Sequence, residues 1–303
     1  MELVLQAESL TKRYDRNIVV DSVSMRIEQG DIYGLIGRNG AGKTTFMKMI
    51  GGLATPTSGS YAFYGEKDNY KTLSRIGCFI ESPALYPDLT VAENMLFYNK
   101  LLGITDPKNI DEILEHVGLI DEKKKKTKKL SLGMKQRLGI GIALVGCPDM
   151  LILDEPINGL DPTGIVEIRN LLLTLNREKG VTLLISSHIL GELERMATRF
   201  GIIDRGVLVD ELSNKELQEK TRRAVGIEGL DPRQVTVTLE EMKIKDYKVL
   251  DGGRVVAYCD TGIAGKINRA LAEKGLYASG IGVVGQDLES YFIEKMGGGS
   301  QNA

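Results

Sequence analysis

The sequence contains few cysteines, and their spacing excludes the commonest cysteine-based sites. There are three, Cys78, Cys147 and Cys259, which lie far apart and form neither a C-x-x-C pair nor the spacing of a zinc site. A framework of disulfide bonds is therefore not expected. We expect reduced thiols in a cytosolic protein.

The sequence also lacks an excess of positive charge. It has 39 lysines and arginines against 41 acidic residues, a net charge of −2. Proteins that bind nucleic acid mainly by neutralising phosphates need a basic excess. We therefore expect no nucleic acid among the partners.

Long hydrophobic runs are missing too. The most apolar stretch, residues 138–153, is interrupted by Pro148 and Asp149 and is shorter than the roughly 20 apolar residues that span a bilayer. The first ten residues include Glu2 and Glu8 and lack the apolar segment of a signal peptide, so none is expected. Any role at a membrane is expected to depend on a partner.

Glycine, by contrast, is abundant, with 35 among 303 residues, whereas the usual share is about 7%. These glycines follow no collagen repeat and so indicate turns, close packing or phosphate loops.

Short, continuously apolar segments alternate with helical patterns between residues 32 and 220, which predicts an α/β fold with a buried parallel sheet. The predicted strands are residues 32–36, 151–153, 181–185 and 200–203. The clearest helix covers residues 161–179, where Asp161 is suited to the N-cap, Pro162 to the first turn and Gly180 to the end.

Two further regions flank this pattern. Four segments predict short antiparallel strands, at residues 3–7, 18–20, 23–27 and 61–64. Residues 91–102, 109–117 and 132–144 predict a helical insert. Within the insert, six of the seven residues 123–129 are lysines, which suits a solvated loop or a contact with lipid headgroups or an acidic partner.

Composition and pattern change near residues 214–223. The remainder, to residue 296, follows the order β-α-β-β-α-β-α, which predicts a small ferredoxin-like α+β module. Residues 297–303 are expected to form a disordered tail.

A phosphate-loop motif follows the first buried strand. It matches the pattern G-x-x-x-x-G-K-[ST], and a helical run begins after it at Thr45. The motif residues are Gly37, Arg38, Asn39, Gly40, Ala41, Gly42, Lys43 and Thr44. Glycines allow backbone N–H groups to surround phosphates, Lys43 adds a cation, and the Thr44 hydroxyl is a candidate Mg²⁺ ligand.

Two carboxylates end a later buried strand. Asp154 and Glu155 follow the apolar residues 150–153, and at the carboxyl edge of a parallel sheet they would lie near the phosphate loop. Asp154 is predicted to join the Mg²⁺ shell, and Glu155 to face the attacking water.

His188 follows the next predicted strand, at the same sheet edge. There it could bond to a γ-phosphate or orient water. The second histidine, His116, lies in a helical pattern without carboxylate partners, and we expect it to have a structural role.

With these elements in place, residues 3–217 resemble the ABC transporter ATPases. Residues 130–137, LSLGMKQR, are similar to the family signature LSGGQ; they keep Ser131 and Gly133 but lose the middle glycine and the glutamine. Residues 158–161 resemble the D-loop, His188 matches the switch histidine, and Tyr14 lies where the family stacks an aromatic ring on adenine, a rim tyrosine being the alternative.

The resemblance implies a RecA-like P-loop core with an antiparallel β subdomain and a helical subdomain. It implies that ATP and Mg²⁺ bind, and that two such domains associate head to tail in a homodimer. Ser131 and Gly133 of one chain would then act in trans on the nucleotide of the other, where the helix N-terminus at Ser131 can face an anion.

We therefore expect a nucleotide-binding domain over residues 1–220, with its helical insert at about 82–147, and an accessory domain over residues 221–296. The family also implies a separate membrane permease as partner. That partner would hold the chain peripherally on the inner face of the cell membrane.

One departure points to a subfamily. Where the family has a glutamine that touches Mg²⁺ and the permease, this sequence has Glu81, followed by Pro83, Leu85 and Tyr86. This glutamate and the altered signature resemble the bacitracin- and lantibiotic-type exporters of antimicrobial peptides, and the residues near 287–292 resemble the tail of drug-export ATPases. We expect Glu81 to lie at the Mg²⁺ shell, a surface glutamate being the alternative.

Three functions fit a chain with these motifs. The first is an ATPase subunit that powers export of a hydrophobic drug or antimicrobial peptide through the permease. The second is a soluble ABC ATPase acting on ribosomes or DNA, which normally carries tandem cassettes or basic extensions that this chain lacks. The third is a slow or inactive regulatory module, against which the presence of Glu155 argues.

Overall fold

The computed structural model describes residues 2–66, 72–81, 84–104, 109–250, 252–285 and 288–297. The chain divides into two compact units, one within residues 1–214 and one over residues 215–297. Of the predicted disordered tail, residues 298–303 lie outside the described residues, as do Ser82 and Pro83 beside Glu81.

The first unit contains a three-stranded antiparallel sheet of order β2-β1-β4. Its strands are β1 (Leu3–Tyr14), β2 (Asn17–Glu28) and β4 (Ser58–Phe63). The predicted antiparallel strands are present, but β1 and β2 are continuous over 12 residues each. Register shifts interrupt the pairing of β1 with β2. They also interrupt the alternation of apolar and polar residues, so the sequence predicts only short segments of these strands.

A six-stranded sheet of order β5-β6-β7-β3-β8-β9 forms the centre of this unit. Neighbouring strands are parallel from β5 to β8, whereas β9 is antiparallel to β8. The bounds are β3 (Ile32–Ile36), β5 (Ile76–Phe79), β6 (Met150–Asp154), β7 (Thr182–Ser187), β8 (Arg199–Asp204) and β9 (Val207–Ser213). Every residue of β3, β6 and β7 is buried, as their apolar sequences predict.

Helix α1 (Lys43–Ile50) follows β3 and lies in the main core. Phe46, Met47, Met49 and Ile50 are fully buried and belong to a cluster that includes side chains of β1, β2, β3 and β6. This packing fixes the start of α1, and therefore the end of the phosphate loop, against both sheets.

The predicted helical insert consists of α2 (Val91–Leu101), α3 (Asn109–His116) and α4 (Leu132–Ala143). Helix α5 (Pro162–Lys179) begins at Asp161, whose side chain accepts a hydrogen bond from the N–H of Gly164, and ends at Gly180 with a φ of 69°. The short α6 (Leu190–Glu194) follows β7.

The lysine run of the insert is an ordered loop tied to the start of α2. The N–H groups of Val91 and Ala92 donate to the carbonyls of Lys125 and Lys123. Ion pairs join several of its lysines to acidic neighbours, including Lys123 to Asp111 at 3.0 Å.

The second unit opens with α7, which starts at the boundary (Asn214–Thr221). Its antiparallel sheet has the order β11-β12-β10-β13, and buried side chains of the sheet, α8 and α9 form its core. The bounds are β10 (Ala224–Glu228), α8 (Pro232–Glu241), β11 (Tyr247–Val249), β12 (Val255–Ala257), α9 (Ala264–Glu273), β13 (Gly280–Val284) and α10 (Leu288–Gly297).

None of the helices in the described part of the chain combines the length and the apolar character that crossing a membrane requires.

Candidate functional site

The loop between β3 and α1 has the shape that its glycines allow. A Cβ atom added to Gly37 would lie 2.4 Å from the carbonyl oxygen of Ile203, so only glycine fits there. Gly42, the N-cap of α1, has a φ of 103° and provides no side chain to cap the helix. The first N–H groups of α1 are therefore left to an external acceptor, and an anion is favoured at such an end.

Lys43 is almost completely buried beneath this loop. Its Nζ atom donates hydrogen bonds to the carbonyls of Gly37 at 2.8 Å and Arg38 at 3.3 Å. It also lies 3.3 Å from Oε1 of Glu155. The ammonium is thus held at the inner side of the loop, between backbone oxygens and one carboxylate.

Asp154 is fixed by two hydroxyl groups from different elements. Thr44 Oγ1, in the first turn of α1, donates to Oδ2 at 2.7 Å, and Ser186 Oγ, in β7, donates to Oδ1 at 2.5 Å. Ser186 lies beside Asp154 in the parallel register of β6 and β7. Its Oγ also accepts a hydrogen bond of 2.9 Å from the N–H of Glu155.

Glu155 and His188 meet at the same edge of the sheet. Nδ1 of His188 lies 2.8 Å from Oε2 of Glu155. Because a carboxylate only accepts, Nδ1 carries the proton of this hydrogen bond. Oε1 of Glu155 is buried and makes no hydrogen bond. The φ of Glu155 is 49°, a left-handed conformation that costs a non-glycine residue about 1–2 kcal/mol.

Of these groups, Lys43, Thr44 and Glu155 line a cavity of about 190 Å³. The loop residues Arg38 and Gly37 lie next to it and contribute the carbonyls that hold Lys43. The residues that line the cavity are Val19, Asn39, Gly40, Ala41, Gly42, Lys43, Thr44, Thr45 and Glu155. An oxyanion placed there would meet backbone N–H groups, the Lys43 ammonium and the Thr44 hydroxyl.

Glu81 lies just beyond the end of β5, at the edge where β6 ends with Asp154. Its φ is 67°, and its carboxylate accepts a hydrogen bond of 2.5 Å from Nζ of Lys48. This hydrogen bond raises the pKa of the Lys48 ammonium, and the Asp154 carboxylate acts in the same direction. The structure therefore places Glu81 beside a lysine of α1 that also lies in the field of Asp154.

Tyr14 ends β1 and is 48% exposed. The Nζ atom of Lys12 lies 4.9 Å from the centre of its ring. An exposed ring of this kind is open to stacking, and its role toward adenine stays a prediction.

The signature residues occupy a different place from the phosphate loop. Ser131 is the N-cap of α4 and accepts a hydrogen bond of 3.2 Å from the N–H of Met134. With Gly133 it lines a cavity of about 420 Å³ that also includes Gly159, Leu160 and Asp161. The signature and the D-loop therefore lie together, and neither lines the phosphate-loop cavity of the same chain.

Two residues of the site were missed by sequence reasoning. The predicted strand ends at residue 185, whereas β7 extends to Ser187 and buries Ser186. A serine next to an acid-ended parallel strand was the signal that could have found it. Lys48 gave no such signal, because its contact with Glu81 joins segments that are separate in sequence.

Comparisons with known proteins agree with this geometry. Residues 20–158 match the family described as ABC transporter. The bacitracin transport ATP-binding protein BcrA of Bacillus licheniformis is 43% identical over 304 residues, which cover 99% of this chain and 99% of that protein. The chain belongs to the ABC transporter ATP-binding family.

Two further proteins are similar to this chain, one a sequence relative and one a solved structure. The lantibiotic transport ATP-binding protein SrtF of Streptococcus pyogenes is 42% identical, and the alignment covers 73% of this chain and 100% of that protein. A dimeric ATP-binding cassette solved in a post-hydrolysis state with ADP and Pi has a TM-score of 0.63 and 26% identity, covering 69% of this chain and 98% of that one.

The chain is therefore an ATP-binding protein that hydrolyses ATP to drive transport, as the sequence predicted. The α/β arrangement of sheets and helices in the first unit is that of solved ABC ATPases.

Proposed function

We propose that the chain is the ATP-hydrolysing subunit of an exporter that removes an antimicrobial peptide of the bacitracin or lantibiotic type. A separate membrane permease would carry the peptide, and the chain would lie at the inner face of the membrane through contact with it. The observation that carries the proposal is the 43% identity to a bacitracin transport protein along 99% of both chains. No relative reported above favours a cassette acting on ribosomes or DNA.

The phosphate loop would bind the β- and γ-phosphates of ATP. The N–H groups at the start of α1, which no side chain caps, and the buried ammonium of Lys43 support this role, since both bring positive charge to the cavity. Lys43 would exchange its bonds to the carbonyls of Gly37 and Arg38 for the phosphate oxygens. Tyr14 would stack on the adenine.

The residues beside the loop suit a Mg²⁺ ion. Mg²⁺ is usually held by one or two protein oxygens together with phosphates and water. Thr44 and Asp154 would provide these oxygens, whereas in the described part of the chain no three His, Cys, Asp or Glu side chains form a metal cluster. When bound, the ion would neutralise charge that develops on the transferred phosphoryl group. Glu81 would lie at the outer side of the metal shell.

Glu155 would act on the attacking water. Glu155 lines the phosphate-loop cavity. Its buried Oε1 atom makes no hydrogen bond and lies 3.3 Å from the Lys43 ammonium, while Oε2 is held by His188. Glu155 would accept the proton of the water as the water oxygen bonds to the γ-phosphorus and the bond to the β-phosphate oxygen breaks. His188 would hold Glu155 in place and interact with the γ-phosphate.

A head-to-tail dimer would complete each site. Leu132, beside Ser131, is 50% exposed, and Ser131 and Gly133 line a surface cavity rather than the phosphate loop of their own chain. We propose that these residues close on the ATP of a second copy. The dimeric post-hydrolysis cassette described above supports this arrangement.

The domain assignment is also a proposal. The nucleotide-binding domain would end near residue 220, and residues 221–296 would form a ferredoxin-like accessory domain. The order β-α-β-β-α-β and the sheet order β11-β12-β10-β13 support that description, because a split β-α-β module places its third strand between the first and second.

The proposal is tested by the resistance of cells that carry both the chain and its permease. The chain and its permease would be expressed in a sensitive bacterial host and challenged with bacitracin and a lantibiotic. We expect a higher inhibitory concentration for at least one of them, which is lost in Glu155→Gln with unchanged expression. A chain that hydrolyses ATP with its permease but protects against neither compound would refute the substrate class and leave the ATPase assignment intact.

A further inference from the structure

Lys48 is a charged residue beside the candidate site to which no role has yet been assigned. It lies on α1, four residues after Thr44, so the two side chains share one face of the helix. Its side chain is 32% exposed, while that of its partner Glu81 is 61% exposed. Most of the lysine is therefore covered, although its partner is largely open to solvent.

The sheet explains why this lysine meets that glutamate. Strands β5 and β6 are parallel, with Phe79 beside Leu153. Glu81 therefore reaches the same edge of the sheet as Asp154 and Glu155, one strand away. Without a cation, a third carboxylate at this edge would add to the repulsion that the phosphates of ATP experience.

A simple surface ion pair is the alternative explanation. Exposed pairs contribute about 0–1 kcal/mol to stability, and the chain contains other pairs of this kind, such as Lys128 with Asp88 at 2.6 Å. The two explanations differ in what they affect. A structural pair changes only the stability of the fold, whereas a pair that faces the nucleotide changes the binding of ATP without metal.

We propose that Lys48 is a positioning residue that holds Glu81 and balances its charge at the nucleotide site until Mg²⁺ and ATP are bound. This inference rests on the proposed roles of the phosphate loop, Asp154 and Glu81. Glu81 is then available to leave Lys48 for the metal shell. Lys48 thereby sets how strongly ATP binding depends on Mg²⁺.

The test compares ATP affinity in EDTA with affinity in Mg²⁺, measured by calorimetry on the full chain. Lys48→Met leaves the Glu81 charge unbalanced, so ATP in EDTA should bind about two- to fivefold more weakly, the range expected for an exposed charge pair. Glu81→Gln frees the lysine, so ATP in EDTA should bind more tightly by a similar factor. The double variant should return to within about twofold of the wild type.

Lys128→Met is the matched control, because it removes one lysine from an exposed pair elsewhere in the first unit. It should leave both affinities unchanged. Unfolding temperatures identify any variant that fails to fold, and the opposite sign expected for Glu81→Gln keeps the test valid if Lys48→Met is unstable.

Two results would overturn the inference: single variants that bind ATP in EDTA as the wild type does, or a double variant that binds ATP in EDTA as weakly as Lys48→Met, which would show that the charge of Glu81 is not what weakens binding. A wild-type chain whose ATP affinity is the same in EDTA and in Mg²⁺ would instead contradict the proposed metal site. The two failures are therefore distinguishable.

Discussion

The hydroxyl of Thr44 donates a hydrogen bond of 2.7 Å to Oδ2 of Asp154, and this contact joins the first turn of α1 to the end of β6. The two residues are 110 positions apart. Their contact brings the phosphate loop and the acidic strand end into one site. The other oxygen of Asp154 is held by Ser186, so the orientation of the carboxylate depends on both neighbours.

The first prediction concerns Ser186. In Ser186→Ala, Oδ1 of Asp154 and the N–H of Glu155 both lose a partner in a buried place, which should reduce the free energy of unfolding by about 1–3 kcal/mol. We also expect the loss of ATP affinity relative to the wild type to be larger in the presence of Mg²⁺ than in its absence, because Asp154 is the affected group. Urea unfolding and calorimetry measure the two effects.

Ser187→Ala is the control for this variant. Ser187 is also fully buried, but its hydroxyl accepts a hydrogen bond from the N–H of Ile189 and does not contact Asp154. It should lower stability without changing the Mg²⁺ dependence. Equal changes in both variants would show that Ser186 does not position Asp154.

The second prediction concerns Glu155. Glu155→Gln keeps the shape of the side chain and can still accept a hydrogen bond from His188. It should bind ATP with nearly unchanged affinity and hydrolyse it about 10²- to 10⁴-fold more slowly, the usual contribution of a general base. Single-turnover hydrolysis measures the rate.

Because its ATP persists, the same variant should accumulate as a dimer with Mg²⁺ and ATP in sedimentation experiments. The control is Lys43→Ala combined with Glu155→Gln, which lacks the buried cation of the phosphate loop and should stay monomeric. Dimers that form equally in both variants, or without ATP, would contradict closure around the nucleotide.

Much of the site could be predicted because its groups lie in contiguous motifs at the ends of buried strands. Apolar strands of a parallel sheet are easy to identify, and their carboxyl ends meet at one edge, which places Asp154, Glu155 and His188 near the phosphate loop. The roles of these residues remain predictions, whereas their proximity is a property of the fold.

Other features could not be read from the sequence. Strands β5 and β9 are short or partly exposed and lie at the edges of the sheet, where burial imposes little pattern. The pairing of Lys48 with Glu81 depends on the strand order and on the orientation of α1, which no local pattern encodes. Tertiary contacts of this kind require the structure.

The third prediction concerns the cysteines. Burial raises the pKa of the Cys78 thiol to about 11, whereas Cys147 is exposed. Because only the thiolate reacts, Cys78 in the native protein should react far more slowly than Cys147 with iodoacetamide at pH 8. Peptide mass spectrometry measures both rates.

The labelling rate of Cys78 should rise with pH. Below a pKa of about 11 the thiolate fraction of Cys78 grows about tenfold per pH unit, so its rate should rise between pH 8 and pH 10. Folding favours the neutral Cys78 thiol, because burial raises the pKa from about 9 to about 11. The resulting contribution to the free energy of unfolding is therefore present below pH 9 and is lost as the pH rises toward 11. Equal labelling of Cys78 and Cys147 in folded protein at pH 8 would contradict this environment.

The last prediction concerns the division of the chain into two units. All residues that line the phosphate-loop cavity lie between Val19 and Glu155, and the first unit ends at residue 214. A whole relative, SrtF, aligns over 231 residues, a length close to that of the first unit. A chain that ends after Thr221, the last residue of α7, should therefore fold and bind ATP in Mg²⁺ within about threefold of the full chain, since each unit has its own core.

Calorimetry gives the affinity, and circular dichroism with a thermal melt confirms the fold. Lys43→Ala in the same shortened chain is the control, and it should abolish the binding signal. A shortened chain that melts cooperatively but does not bind ATP would show that residues beyond 221 contribute to the nucleotide site and that the proposed domain boundary is wrong.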